Sequence, residues 1–504
     1  MEITANIRID ANAVISPIDE RLYGSFIEHM GRAVYTGIYE PGHAFSNKDG
    51  FREDVIDLIK PMNIPVIRYP GGNFVSGYRW EDGVGPKASR PVRPEPAWFA
   101  LETNQVGTDE FMDFLRYVGA KPMLAVNLGT RGAQDAANLL EYCNFPGGTY
   151  YSDMRIANGY PMPHNVKLWC LGNEMDGPWQ ICAKTADEYG RLARETAKMM
   201  KWLDPGIELV VCGSSYREMP TYGDWERAVL RHTYDYADYL SLHTYYMNTD
   251  GDIPSFLASS ARMDRFIKEV AAICAEIKAE KGSEKEIYLS FDEWNVWYHF
   301  NKDCGQPPKW TEARPIEEER YDFADALLVG SMLTTLINNA DVVKIACLAQ
   351  LVNTIAPIMT EPQGRAWAQT IYYPFLYTSQ RGRGTALKVE LDAPSYNCRA
   401  GEGIPFIDCA AVFSREENEI AVFMVNKNLN DDIPCQLFLS GFSCKDTPGW
   451  TSLSGYGPDA VNTADGAPVK PAALEGILLS GNTLTFTLPK ASWNMVRLPL
   501  HTRD

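Results

Sequence analysis

The chain has 504 residues, 45% of them hydrophobic and 22% charged, with a formal net charge of −18 at pH 7. This length predicts one large domain together with a smaller one, and the negative charge argues against nucleic acid or an anionic membrane as partner. The eleven cysteines are scattered without a C-x-x-C pair, which predicts free thiols rather than a disulfide scaffold.

The first 17 residues carry neither the basic nor the apolar part of a secretion signal, so we expect a cytoplasmic protein. No stretch of the sequence is long and apolar enough to span a bilayer. Residues 1–17 are themselves strand-like, and we expect them to pair with a β-sandwich formed by the other end of the chain.

Residues 18–378 alternate short apolar runs with longer segments of helical period, a pattern typical of parallel strands joined by crossover helices. Eight such runs are predicted strands: 22–28, 64–69, 122–127, 167–172, 208–213, 239–245, 287–292 and 343–349. This number favours a closed (β/α)8 TIM barrel of the α/β class over an open doubly wound sheet. No Gly-x-Gly-x-x-Gly follows the first run, which removes the main support for a dinucleotide-binding fold.

Three of the intervening helices are especially clear. Apolar residues at helical spacing predict one helix from Thr108, taken as its N-cap, to a stop at Gly119. Thr185 and Glu188 form a capping box at the start of a second, and 263–277 carries the apolar stripe of a third.

Beyond residue 378 the apolar period changes from helical to twofold. In 483–488 leucine and phenylalanine alternate with threonine, and the same alternation recurs at 406–413, 419–426, 434–439 and 493–500. We therefore predict an antiparallel, jelly-roll-like β-sandwich over 379–504, preceded by the barrel over 18–378 and by the strand segment 1–17.

Active sites of such barrels form at the carboxyl ends of the strands. Glu174 follows the fourth run directly after Asn173, and Glu293 follows the seventh run. Two carboxyl groups across one barrel mouth are what double displacement at a sugar requires. Asp292 competes with Glu293, but because adjacent strand residues point to opposite faces, only one of the two is expected to point inward.

A second Asn-Glu pair, Asn418-Glu419, falls in a charged turn of the predicted sandwich, so the dipeptide alone is not specific. Other polar and aromatic residues stand at or beyond the strand ends and suit a sugar site: Glu28, Arg68, Asn73, Tyr245, Gln350, Trp98, Trp179 and Trp297. His243 is expected to be a satisfied barrel histidine. The long segments 74–107 and 299–317 are predicted to form the rim of the site.

The sequence lacks the motifs of several other kinds of enzyme and binding site. The sequence contains neither His-Glu-x-x-His nor an acidic calcium loop, so we expect no metal and no cofactor. The absence of Gly-x-Ser-x-Gly weakens an esterase interpretation.

Four motifs in order resemble the α-L-arabinofuranosidases of glycoside hydrolase family 51. They are the runs that begin at Tyr23 (YGSFIEHM), Arg68 (RYPGGNF), Gly172 (GNEMDGPW) and Asp292 (DEWNVW). The resemblance implies that Glu174 is the general acid/base and Glu293 the nucleophile. It further implies intracellular, metal-free homohexamers that release terminal non-reducing arabinofuranosyl residues from arabinoxylan and arabinan oligosaccharides.

The resemblance also assigns the substrate-binding residues. Four of them are expected to hold the sugar hydroxyls: Glu28, Asn73, Asn173 and Gln350. Tyr245 is expected to orient the nucleophile, Trp98 and Trp297 to wall the subsite, and Arg68 to support it.

Two alternatives remain open at this point. Paired glutamates on strands four and seven also suit another retaining barrel glycosidase, such as a β-xylosidase or an endo-glucanase. A catalytically silent carbohydrate-binding protein would use the same carboxylates only as hydrogen-bond acceptors.

Overall fold

The computed structural model describes residues 4–298, 307–445 and 448–501. Its strands, in chain order, are β1 (Ala5–Pro17), β2 (Gly24–Phe26), β3 (Val66–Tyr69), β4 (Arg93–Glu95), β5 (Ala100–Glu102), β6 (Lys121–Val126), β7 (Leu168–Leu171), β8 (Glu208–Val211), β9 (Tyr239–Tyr246), β10 (Tyr288–Val296), β11 (Val343–Ala349), β12 (Ile358–Thr360), β13 (Ala366–Ala368), β14 (Thr385–Asp392), β15 (Ser395–Cys398), β16 (Gly401–Pro405), β17 (Ile407–Ser414), β18 (Glu419–Asn426), β19 (Ile433–Ser440), β20 (Gly449–Leu453), β21 (Ala472–Ala473), β22 (Leu478–Ser480), β23 (Thr483–Leu488) and β24 (Ser492–Pro499).

The α-helices of the same residues are α1 (Glu53–Ile59), α2 (Thr108–Val118), α3 (Ala133–Asn144), α4 (Tyr150–Ala157), α5 (Ala186–Leu203), α6 (Asp224–Thr233), α7 (Ile253–Leu257), α8 (Ser259–Lys281), α9 (Phe323–Asn338) and α10 (Tyr372–Arg381). Of the predicted rim segment 299–317, residues 299–306 lie outside the described part of the chain. No helix among the described residues is long and apolar enough to cross a membrane.

Eight parallel strands close into a barrel in the order β2, β3, β6, β7, β8, β9, β10 and β11. Each overlaps one of the eight predicted runs, although β6, β9 and β10 extend beyond theirs, so the predicted (β/α)8 barrel is confirmed. Apolar side chains such as Val66, Met123, Cys170 and Ile345 fill its interior. The first predicted run is only partly a strand, because Glu20–Tyr23 forms a 3-10 turn before β2.

Strand β10 contains a β-bulge at the point where it enters the barrel mouth. Ser290 and Glu293 pair with Ser241 and His243 of β9, so three steps on β10 match two steps on its neighbour. A bulge of this kind breaks the alternation of side chains between the two faces of a strand. The expectation that only one of Asp292 and Glu293 points inward is therefore wrong, since both contact the same arginine inside the barrel.

The three predicted helices are α2, α5 and part of α8. The capping box of α5 is present, since the hydroxyl of Thr185 and the carboxylate of Glu188 bond to each other's backbone N–H. The predicted N-cap of α2 is wrong by one residue. Gly107 takes that place, and its N–H donates to Glu110 Oε2 at 3.0 Å.

The second domain is a ten-stranded, mostly antiparallel sheet in the order β21, β20, β24, β18, β17, β14, β1, β19, β23, β22. Strand β1 lies inside it, antiparallel to β14 and parallel to β19, as the strand-like start of the sequence suggested. Alternate side chains of these strands, among them Ile7, Val422, Leu437 and Leu484, form a separate core. This is the expected β-sandwich, while the domain limits at residues 17 and 378 stay predictions.

Helix α9 joins the two domains. Every residue from Phe323 to Ile337 is buried, and the helix packs against barrel strand β10 as well as sandwich strands β17 and β18. A side chain at Gly330 would lie 2.4 Å from Trp493 of the sandwich, so glycine allows the close approach.

Candidate active site

A cavity of about 610 Å³ opens at the carboxyl ends of the barrel strands. Eight of the ten residues assigned to the site line it: Glu28, Asn73, Trp98, Glu174, Tyr245, Glu293, Trp297 and Gln350. The other two, Arg68 and Asn173, lie behind its wall. A second cavity, of about 570 Å³, opens at the opposite end of the barrel, where Lys121 and Glu208 begin their strands. Active sites of these barrels form at the carboxyl end, which selects the first cavity.

Glu293 is held by two strong donors. Arg68 Nη1 donates to its Oε1 at 2.6 Å, and the Tyr245 hydroxyl donates to its Oε2 at 2.7 Å. The carboxyl group is buried, and the guanidinium and the hydroxyl fix the positions of its two oxygens. The same guanidinium donates through Nη2 to Asn173 Oδ1 at 2.6 Å, so Arg68 links the strand ends of β7 and β10.

Glu174 faces Glu293 across the barrel mouth. Gly172, two residues earlier, has φ +85°, a left-handed conformation that glycine adopts without strain. The Trp179 indole donates to Glu174 Oε2 at 2.6 Å, and His243 Nδ1 lies 2.9 Å from Oε1. One oxygen of Glu174 and one of Glu293 lie within 4.8 Å of each other.

His243 connects the carboxyl groups. Its Nδ1 lies 2.9 Å from Glu174 and 3.5 Å from Glu293, and its Nε2 lies 3.1 Å from Asp292. Burial alone lowers the pKa of His243, but the charges and hydrogen bonds of these three carboxylates outweigh it and raise the pKa to about 10. His243 is therefore protonated at neutral pH and donates from both ring nitrogens.

Among the described residues, Glu174, His243 and Glu293 form the one group of side chains close enough to hold a metal ion. The imidazole of His243 bridges the two carboxyl groups by contacts of 2.9 and 3.5 Å, an arrangement suited to proton exchange between them.

Glu28 lies on the opposite wall of the cavity. Its Oε1 accepts from the backbone N–H of Phe74 at 2.8 Å and from the Trp98 indole at 2.9 Å. Burial raises the pKa of Glu28 to about 8, and these two hydrogen bonds only partly oppose the rise. A side chain at Gly72 would lie 2.1 Å from Glu28 Oε2, so glycine leaves room for the carboxyl group.

The remaining predicted residues surround the same space. Trp297 packs edge-on against Tyr245 with ring centroids 5.0 Å apart, and its indole donates to Glu317 Oε2 at 2.8 Å. The Gln350 side-chain oxygen accepts from the backbone N–H of Glu28 at 2.8 Å. The Asn73 side chain makes no hydrogen bond to any described residue, which leaves its amide available to a ligand in the cavity.

Some of the site was missed from the sequence. His243, expected to be a structural histidine, and Asp292, the competitor of Glu293, both belong to the carboxylate network. Glu317 adds a further carboxylate to the cavity wall. An acid directly before Glu293 and a histidine two residues before Tyr245 were visible signals in the sequence, but the bulge that brings both into the site depends on strand register.

Comparison with known proteins agrees with this geometry. Residues 58–263 match the family model of the α-L-arabinofuranosidase 1 domain, and residues 292–492 match the α-L-arabinofuranosidase C-terminal domain. The chain is 52% identical over 498 residues to an intracellular exo-α-(1→5)-L-arabinofuranosidase of Halalkalibacterium halodurans, covering 99% of both chains. It is 53% identical over 494 residues to the corresponding enzyme 1 of Bacillus subtilis, covering 98% of this chain and 99% of the relative.

Among solved structures, a family 51 α-L-arabinofuranosidase from Bifidobacterium longum superposes with a TM-score of 0.94 at 40% identity. The match covers 99% of this chain and 100% of that one. This chain belongs to the α-L-arabinofuranosidases of glycoside hydrolase family 51.

The chain is thus a glycoside hydrolase with α-L-arabinofuranosidase activity rather than a silent carbohydrate-binding protein. Its named relatives are arabinofuranosidases, which favours this activity over the β-xylosidase and endo-glucanase alternatives. The two relatives are named intracellular enzymes, in agreement with the expected cytoplasmic location.

Proposed function

We propose that this α-L-arabinofuranosidase is an exo-acting, retaining enzyme that releases terminal non-reducing α-L-arabinofuranosyl residues by double displacement. The observation that supports it best is the pair of oxygens of Glu174 and Glu293 within 4.8 Å of each other. Carboxyl groups about 5 to 5.5 Å apart are typical of retaining enzymes, whereas inverting enzymes need roughly 6.5 to 9.5 Å to admit a water molecule.

In the first step Glu174 protonates the leaving oxygen while Glu293 attacks the anomeric carbon. Arg68 and Tyr245 hold the two oxygens of the attacking carboxylate at 2.6 and 2.7 Å before any positive charge develops on the sugar ring. A preorganised anion of this kind stabilises the charge that builds up on the ring oxygen and anomeric carbon.

In the second step Glu174 removes a proton from water, which then attacks the glycosyl-enzyme ester and frees Glu293. His243 and Trp179 bond to different oxygens of the Glu174 carboxyl group, so its orientation is fixed in both steps. The reversal of roles follows from the first step by microscopic reversibility.

For the substrate we propose arabinan and arabinoxylan oligosaccharides, with α-(1→5)-linked arabinofuranosides first. The support is the activity in the names of two relatives that match almost the whole chain. Aromatic side chains at Trp98, Tyr245 and Trp297 around a cavity of this size suit the C–H faces of a sugar. We also propose the homohexamer, six copies of a 56.5 kDa chain or about 340 kDa, which sedimentation velocity would measure directly.

The stereochemistry is tested with an aryl α-L-arabinofuranoside in water containing methanol. NMR of the methyl glycoside formed should show the α anomer alone, and a β product would refute double displacement.

The two carboxyl roles are tested with azide. In Glu174→Ala, azide attacks the glycosyl-enzyme, so we expect α-L-arabinofuranosyl azide from an activated aryl substrate. In Glu293→Ala no glycosyl-enzyme forms, so the azide product should be β and hydrolysis should fall by at least about 10⁴-fold. Unchanged hydrolysis by Glu293→Ala would show that another residue is the nucleophile.

A further inference from the structure

The wall residue Trp98 is carried by a short loop between β4 and β5. These two strands pair antiparallel, with Glu95 opposite Ala100, and the loop between them contains Ala97, Trp98 and Phe99. Phe99 has φ +55°, a left-handed conformation that a phenylalanine rarely adopts without support from its surroundings. The indole of Trp98 must nevertheless stay within 2.9 Å of Glu28 for its hydrogen bond.

Glu95 supplies a support for this loop from within its own hairpin. Its Oε1 accepts from the backbone N–H of Ala97 at 2.6 Å, and its Oε2 accepts from the backbone N–H of Trp98 at 2.7 Å. The side chain is buried, with only 6% of the residue exposed. From the facing loop, Arg314 Nη1 donates to the carbonyl oxygen of Trp98 at 3.1 Å.

We propose that Glu95 is a positioning residue for the sugar-binding cavity, where its carboxylate fixes the backbone of Ala97 and Trp98 and so holds the Trp98 indole against Glu28. Glu95 does not line that cavity. It lines a separate space of about 250 Å³ behind the loop, so any effect on the substrate must pass through Trp98. The inference requires α-L-arabinofuranosidase activity, but neither retention nor a particular linkage.

The two hydrogen bonds from the backbone of Ala97 and Trp98 require a carboxylate at position 95. Both of its oxygens accept from an N–H, whereas a glutamine has one accepting oxygen and one NH₂ group. In Glu95→Gln one of the two backbone donors therefore faces another donor in a buried place, while the size of the side chain stays the same. Such a donor left without an acceptor costs more than the loss of an exposed hydrogen bond.

The first experiment compares Glu95→Gln with the unmodified enzyme on an aryl α-L-arabinofuranoside. We expect kcat/KM to fall roughly tenfold, mainly through KM, because the misplaced wall weakens sugar binding. Glu402→Gln is the matched control. Its side chain is exposed on β16, outside the barrel, and has no hydrogen bond to a described residue, so its kinetics should match those of the unmodified enzyme.

The second experiment separates positioning from general destabilisation with a double-mutant cycle. Trp98→Phe removes the indole N–H, so adding Glu95→Gln to it should lower kcat/KM by less than about twofold further. Full multiplication of the two effects, or Glu95→Gln kinetics equal to those of the unmodified enzyme, would overturn the proposal.

Circular dichroism and thermal melting show whether each variant is folded. If Glu95→Gln does not fold, Glu95→Asp takes its place in the cycle, since its shorter carboxylate reaches fewer of the two N–H groups. The same non-additivity is expected there, and additive effects would again contradict the proposal.

Discussion

His243 is the residue on which the charges of the site depend, since its pKa of about 10 results from three surrounding carboxylates. Asp292 raises that pKa and accepts from Nε2 at 3.1 Å. In Asp292→Asn the pKa of His243 falls toward neutrality, so the ring loses its second proton at lower pH and stops donating to Glu174. We expect kcat/KM to drop roughly 10- to 100-fold and its alkaline limb to move to lower pH.

The pH profile of kcat/KM measures this, and the surface offers a matched control. Asp187 pairs with His232 at 3.0 Å but is 82% exposed, so Asp187→Asn should leave the profile unchanged. An Asp292→Asn profile with the alkaline limb of the unmodified enzyme would show that His243 does not govern it.

Glu28 makes the stability of the folded protein fall as the pH rises, because burial raises the pKa of its carboxyl group. Its pKa is about 8 in the folded protein and near the ordinary 4.5 when unfolded, so between these values the folded state holds the extra proton. The contribution of Glu28 to the free energy of unfolding is complete below about pH 4.5 and is lost as the pH rises toward 8. His243 acts in the same direction at higher pH, because its pKa is also raised on folding.

Glu28→Gln should therefore flatten the fall in stability between pH 5 and pH 8, by on the order of 1 kcal/mol per pH unit. Unfolding by urea at several pH values measures the slope. An equal slope in both proteins would mean that Glu28 is ionised throughout this range.

The turn that follows β3 leaves room for the carboxyl group of Glu28, because it has a glycine, Gly72, at the point of contact. Gly72 has φ +29°, and a Cβ there would lie 2.1 Å from Glu28 Oε2, nearer than any real contact. Gly72→Ala must displace the carboxyl group, and we expect kcat/KM to fall by about 100-fold or more.

The control for this prediction separates backbone strain from the lost space. Gly119, at the end of α2, has φ +78°, and a Cβ added there would meet no atom within 4 Å, so Gly119→Ala adds strain without a clash. It should cost about 1 kcal/mol of stability and leave kcat/KM unchanged. Equal kinetics for the two alanine variants would refute the role of Gly72.

The strands and helices were largely predictable because their periods are local properties of the sequence. Eight apolar runs and the capping box at Thr185 and Glu188 predicted the barrel strands and the start of α5 correctly. The bulge in β10 was not predictable, because it depends on pairing with both neighbouring strands rather than on the composition of β10. That single shift lets both Asp292 and Glu293 face Arg68, where only one of the two was expected to point inward.

Of the site, the residues at the ends of strands were predictable from the sequence, whereas the contacts of those on loops were not. Glu28, Glu174 and Glu293 stand at or just beyond the ends of apolar runs and line the cavity as expected. The partners that adjust them come from loops: Trp179 bonds to Glu174, and Glu95 holds the backbone beside Trp98. Loop conformations of this kind are determined by distant contacts, such as the bond from Arg314 to Trp98, which no local pattern indicates.

At the scale of the whole molecule, the barrel and the sandwich both pack against α9, which is buried from Phe323 to Ile337. At Gly330 the backbone of the helix approaches Trp493 so closely that a Cβ would lie 2.4 Å from the ring. Gly330→Ala must therefore push the sandwich away from the barrel or displace the indole. Overpacking of this kind costs about 1 to 3 kcal/mol, although alanine is the better helix former.

The neighbouring residue provides the control. Ser331 is buried on the same helix, and its hydroxyl has no hydrogen-bond partner among the described residues, so Ser331→Ala should be neutral or slightly stabilising. Thermal melting should show Gly330→Ala with a lower midpoint than both the unmodified enzyme and Ser331→Ala. Because α9 also packs against β10, the strand of Glu293, we expect the two domains to melt together rather than in two steps. A separate early transition of the sandwich would show that α9 does not couple them.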